Sequence, residues 1–130
     1  MTAPNTHPKI DQGLCGEPVD LAPGRASARF VATAVMNTDD RGLVHGGFIF
    51  GLADHAAMLA VNDPHVVLGS ADVRFVAPVK VGDEVLATAE VTEEKGKKRV
   101  LSVSAKVGER EVLSGTMVAF VLEKHVLADG

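Results

Sequence analysis

The sequence predicts an α+β fold in which one long helix is buried by a curved antiparallel sheet of about five strands. Three observations predict it. Gly46–Asn62 is apolar on every side of a helical wheel, and a helix without a polar face needs cover all round. Five other runs alternate apolar with polar or small residues and hold many β-branched ones, the pattern of strands with one face buried. Four of these runs follow the helix with only short breaks between them, which favours an antiparallel meander over crossover connections. With 130 residues, 46% apolar and 23% charged, the chain sits in the globular range. That excludes disorder, collagen and coiled coil. We expect one domain over 1–130, with residues 1–10 flexible and a core over about 20–123.

In chain order, the polar start carries Pro4, Pro8 and Pro18 and is expected to fray. Arg25–Met36 reads as the first strand, and the polar segment Asn37–Val44, with Gly42, as a turn. His45–Asn62 reads as the helix, rich in Leu, Met and Ala, and Asn62-Asp63-Pro64 stops it. Val66–Val79, Glu84–Lys95, Lys97–Val107 and Arg110–Lys124 read as four strands, separated by Lys80–Asp83, Gly96 and Gly108-Glu109.

Several function classes drop out early. A net charge of −4 does not suit nucleic acid, whose phosphates need clustered cations. No Trp, no Tyr and five Phe leave few platforms for stacking bases. The start has no apolar signal-peptide core, and Gly46–Asn62 is short for a bilayer and carries Asp54 and His55. A soluble, cytoplasmic protein is expected, and the single Cys15 fits a reducing compartment. His7, His65 and His125 are scattered, and Cys15 is alone, so no metal site or cofactor is expected. No phosphate-binding loop or nucleophile elbow is present.

Two features carry chemistry. Asp54 lies mid-helix among apolar neighbours. A carboxylate in such a place needs a partner, water or a raised pKa, and is a candidate base or nucleophile. The plainer reading is a helix Asp that reaches the surface. His45-Gly46-Gly47 opens the same helix. Glycines there admit a close neighbour, and the free N–H groups of a first helical turn can hold a developing oxyanion. The plainer reading is a hinge. Gly46 and Asp54 are eight residues apart, about 12 Å along a helix axis. If both act on one carbonyl, they come from two chains, and a twofold dimer is expected. His55 points about 100° away from Asp54 and reads as a packing or interface residue.

The stretch VHGGFIFGLADHAAMLAVN, followed by DVRFVAPVKVGDEVLATAEV, resembles the hotdog-fold acyl-CoA thioesterases. The match is to the branch of the phenylacetate-pathway and 4-hydroxybenzoyl-CoA thioesterases. The resemblance covers about Gly24–Leu122 and rests on H-G-G, an acid eight residues past the first glycine, and P-x-x-x-G-D. It implies a helix wrapped by the sheet, a homodimer or homotetramer, and hydrolysis of an acyl-CoA thioester to acid and CoA. By the resemblance, the Gly46 N–H polarises the carbonyl, Asp54 attacks it or activates water, and His45 and Gly47 shape the loop around the substrate. Phe48, Phe50 and Met58 could line an acyl slot, or equally belong to the core. One departure stands out. Many members carry Asn six residues before the motif histidine, where this chain has Asp39. A second carboxylate near the site would repel Asp54 and raise its pKa. That keeps open a second reading: an inactive hotdog protein that binds acyl-CoA as an accessory or regulatory module. Hydratase chemistry ranks last, since it wants a His and an acid facing each other across the site.

Among the rest, Ser70 and Asp72 read as strand residues. Lys95, Lys97, Lys98 and Arg99 form a basic run that reads as a solvated hairpin. In an acyl-CoA protein this run could instead meet the nucleotide phosphates, as could Arg74 or Lys80.

Overall fold

The computed structural model describes residues 2–128; Met1, Asp129 and Gly130 of the expected 1–130 domain lie outside them. The chain forms α1 (Gln12–Cys15), β1 (Glu17–Ala22), β2 (Arg25–Val31), a 3-10 turn (Ala34–Met36), α2 (Gly46–Val61), β3 (Val66–Phe75), β4 (Glu84–Lys95), β5 (Lys98–Val107) and β6 (Arg110–Val121). One six-stranded sheet runs in the order β1-β2-β4-β5-β6-β3, with every pair antiparallel. This is the hotdog arrangement, with six strands where about five were expected. The sixth is β1, in a stretch whose Pro18 and short alternation hide a strand.

α2 touches all six strands, and β2 and β4 most, so the sheet must curve around it. Small residues permit the close approach. Ala53, Ala56 and Ala60 of α2 are buried, as are Ala26 and Ala28 of β2 and Ala87 and Ala89 of β4. Leu52, Leu59, Leu101, Leu113 and Met117 fill the remaining volume, each buried side chain of this size contributing about 1.5–3 kcal/mol. Asn62 ends α2 in the left-handed conformation, its N–H donating to Met58 O, as the stop signal predicted. The Asn62 side chain also ties down the chain's start, accepting from Asn5 N–H at 2.6 Å and donating to Ala3 O at 3.0 Å. Thr2 N–H donates to Leu21 O, and Thr6 is buried. These bonds engage part of the segment for which fraying was expected.

Three strand ends differ from the sequence reading. β2 stops at Val31, not Met36, because Ala32 is bonded to both Gly82 N–H and Asp83 O in the β3–β4 connection. β3 stops at Phe75, not Val79, where Pro78 has no N–H to donate. Val79–Val81 instead join the Gly42–Val44 segment through Val44 N–H to Val79 O and Val81 N–H to Gly42 O. β6 ends at Val121 rather than Lys124, level with the start of β5. No helix among the described residues is long and apolar enough to cross a membrane.

Candidate active site

The site is built on one uninterrupted helix. His45 caps α2 without any side-chain bond, and its first turn holds no acid. The leading N–H groups of α2 therefore keep their partial positive charge without a side-chain capping partner among the described residues. The segment before it is held on both sides. His45 N–H donates to Met36 O at 2.9 Å, and Leu43 bridges to Lys80. Gly46 is half-buried, and a methyl group added to it would lie 3.3 Å from the Phe75 ring. Gly47 is exposed, and His45 turns its ring edge-on to Phe48 at 6.1 Å.

Gly47, Gly51 and Asp54 fall one above another at i, i+4 and i+7, so they share the helix face turned away from the main core. Open space lies beside Gly51 within 4 Å. A helical glycine costs about 1 kcal/mol relative to alanine, and nothing inside the chain demands one here. Asp54 is largely buried on this face, and its Oδ1 has no hydrogen-bond partner among the described residues. Burial pushes its pKa up from 3.8 to about 6. The expected repulsion from Asp39 plays no part within the chain, since burial alone accounts for the shift. Asp39 Oδ1 instead accepts Arg41 N–H at 2.9 Å and Leu43 N–H at 3.2 Å, closing the turn that leads to His45. Asparagine offers the same acceptor oxygen, so Asp39→Asn is expected to leave stability within about 0.5 kcal/mol, as read by urea unfolding.

The remaining candidates divide. Phe48 and Phe50 are half-buried, while Met58 is 1% exposed and sits in the core. His55 is 2% exposed; its Nδ1 lies 3.3 Å from Cys15 O, and its ring is 6.2 Å from that of His7. Burial pulls its pKa down, which fits the packing role. Two neighbours were not legible in the sequence. Phe75 reaches Gly46 only through the β3–β6 pairing, and Cys15 reaches α2, its carbonyl facing His55, only because α1 packs on α2. Burial pushes the Cys15 thiol up, and Asp11 and then Asp54 add to that. No group of three or more metal-ligating side chains exists among the described residues.

The pattern of the thioesterase superfamily matches residues 41–114. The solved structure of an uncharacterized protein from Pyrococcus horikoshii superposes with a TM-score of 0.96, at 48% identity over 98% of each chain. A methylthioribose-1-phosphate isomerase of Aquifex aeolicus is 52% identical over 110 residues, covering 85% of this chain but only 24% of that protein. The transcription factor FapR of Caldanaerobacter subterraneus is 34% identical over 115 residues, 88% of this chain and 58% of that protein. The chain thus spans about a quarter and about three fifths of these two relatives.

Proposed function

We propose, since the chain belongs to the thioesterase superfamily, that it hydrolyses an acyl-CoA thioester to free acid and CoA at a site shared by two copies. The observation that carries this is Asp54: a largely buried carboxylate with an unpartnered oxygen, on the same helix as an uncapped N-terminus. Eight residues of unbroken helix hold Gly46 about 12 Å from Asp54. One carbonyl meets both only if Asp54 is the partner subunit's. The open space beside Gly51, on the same face, suits such a neighbour or an acyl chain.

In the reaction, the Gly46 N–H donates to the thioester oxygen as negative charge collects there. Asp54 is ionised at neutral pH, with its pKa near 6. It either removes a proton from attacking water or attacks the carbonyl carbon itself. In the first case the C–O bond to water forms, the C–S bond breaks, and the proton passes to the departing CoA sulfur. In the second, the Asp54 oxygen bonds to the carbonyl carbon as the C–S bond breaks, CoA leaves as its thiolate and takes a proton from water, and water then cleaves the acyl–Asp54 anhydride to free acid and the Asp54 carboxylate. No cofactor is needed for either. Phe48 and Phe50 would border the acyl group, with His45 and Gly47 at the mouth and Met58 behind. The setting we propose is the cytoplasm, where a lone Cys15 thiol stays reduced.

The test is thiol release from short, medium and long aliphatic acyl-CoAs plus phenylacetyl- and benzoyl-CoA. Turnover is expected on part of the panel, and Asp54→Ala should lower it by roughly 10³-fold. Unchanged hydrolysis in that variant would remove Asp54 from the mechanism. The 34% identity to a transcription factor over 88% of the chain favours one second reading: a module that binds acyl-CoA to regulate a partner. Tight acyl-CoA binding with negligible turnover would select it.

A further inference from the structure

A concavity of about 780 Å³ opens beside the C-terminal half of α2, between the chain's start, the first residues of β3 and the segment after β6. Leu59, Val66 and Val67 give it an apolar wall. Four of the chain's five histidines line it: His7, His55, His65 and His125. Among the described residues, no Asp, Glu, Lys or Arg does. His55 and Leu59 share a face of α2 that lies about 100° round the helix from Asp54. None of Gly46, Gly47, Phe48, Phe50 and Met58 borders the cavity, so it is separate from the thioester site.

Bonds to these rings fix what they offer. His55 is only 2% exposed, and its Nδ1 lies 3.3 Å from Cys15 O. A carbonyl accepts, so Nδ1 donates, and Nε2 is left as an acceptor without a partner among the described residues. His125 is the reverse. Its Nδ1 accepts Leu127 N–H at 2.9 Å, so its Nε2 carries the proton. Thr6, itself buried, places Oγ1 2.7 Å from His7 Nδ1. His7 takes a left-handed φ of 53°, uncommon outside glycine, and its ring stands 6.2 Å from that of His55.

Burial lowers the pKa of both His7 and His55. At His55 the Cys15 and Gly16 carbonyls oppose this, and the His7 charge adds to it. The carboxylates nearby are turned to other work. Asp11 caps α1 by accepting Leu14 N–H, Asp63 accepts His65 N–H, and Asp54 lies on the other face of α2. From α1, the uncharged Gln12 reaches the cavity.

An apolar wall, an imidazole acceptor, an imidazole donor and no fixed charge suit a group that is donor and acceptor at once, on an apolar body. A carboxylic acid is such a group, and its proton can pass to an imidazole, leaving carboxylate beside imidazolium. An ammonium ligand would meet no anion. We infer that this cavity binds a free carboxylic acid with an apolar tail, its carboxyl group between His7 and His55 and its tail on Leu59, Val66 and Val67. At neutral pH the acid arrives ionised, and the complex takes up one proton from water, held between carboxylate and imidazole. The site stands whether or not the acyl-CoA reading does.

The test is calorimetric titration of the whole chain with octanoate, 1-octanol and octylamine. Octanoate should bind at least about tenfold more tightly than the other two. Its affinity should rise by about tenfold from pH 8 to pH 7, as uptake of one proton requires. His7→Asn, which tolerates the left-handed backbone, and His55→Gln should each weaken octanoate by roughly tenfold. Asp54→Asn should leave it within about twofold. Circular dichroism checks folding; should buried His55→Gln not fold, the half-buried His7→Asn decides. 1-Octanol binding as tightly as octanoate overturns the inference, as does octanoate binding that ignores both histidines. Binding that falls only with Asp54→Asn puts the acid in the thioester cleft, overturning the inference and leaving the acyl-CoA reading standing. No binding of octanoate overturns it too.

Discussion

Asp54→Asn is expected to make the folded protein more stable at pH 8, by about 1–3 kcal/mol, while abolishing turnover. The pKa of Asp54 stands near 6 in the folded chain against an ordinary 3.8. Between about pH 4 and pH 6 the folded state therefore holds a proton that the unfolded chain has released. Stability falls as the pH rises through that window, and the whole penalty is present above it. The displacement corresponds to about 3 kcal/mol, and the asparagine amide, still buried, keeps part of the polar cost. Urea unfolding of both proteins at pH 4 and pH 8 reads the effect. The two curves should nearly coincide at pH 4 and separate at pH 8, with the variant the more stable. Equal stability at both pH values would mean that the carboxylate is hydrated in the folded state.

The second large effect concerns Gly115 in β6. It pairs with Val73 of β3 on one side and Val103 of β5 on the other. A methyl group there would collide with the Asp72 carbonyl oxygen and stand 2.6 Å from Val73 Cα. Both obstacles are backbone, so no rotamer change relieves them. Gly115→Ala must part β3 from β6, at a cost of about 3 kcal/mol or more. Because β3 ends in Phe75, whose ring rests on Gly46, thioester turnover should fall along with stability. Thermal unfolding and thiol release check the two effects together. A loss under about 1 kcal/mol would show slack in the β3–β6 ladder.

What the sequence carries depends on whether the information is local. Glu84–Lys95 reads as a strand with its observed ends, since its alternation is clean and Gly82 and Gly96 bracket it. The bounds of α2 are legible because Asn62-Asp63-Pro64 is a strong stop. Asp54 is legible because a single acid in an apolar helix conflicts with its surroundings. Unbroken alternation over Arg25–Met36 carries the first strand too far, because Ala32 is captured by Gly82 and Asp83 from a distant part of the chain. The Phe75–Gly46 contact has no local signature, since the two residues lie far apart in the chain and meet only once β3 has paired with β6.

The two ends of the sheet are not equivalent. β1 carries Pro18, which has no N–H, and breaks register between Pro18 and Asp20, while Thr2 already occupies Leu21 O. β3 pairs only with β6, contains no proline, and leaves Ser70–Asp72 exposed. One border of the sheet is thus blunted and the other open to a further strand. Two copies added edge to edge through the open border would have no second open border by which to continue. The same fold with both borders open could string into fibres; a single open border would limit such growth to a pair.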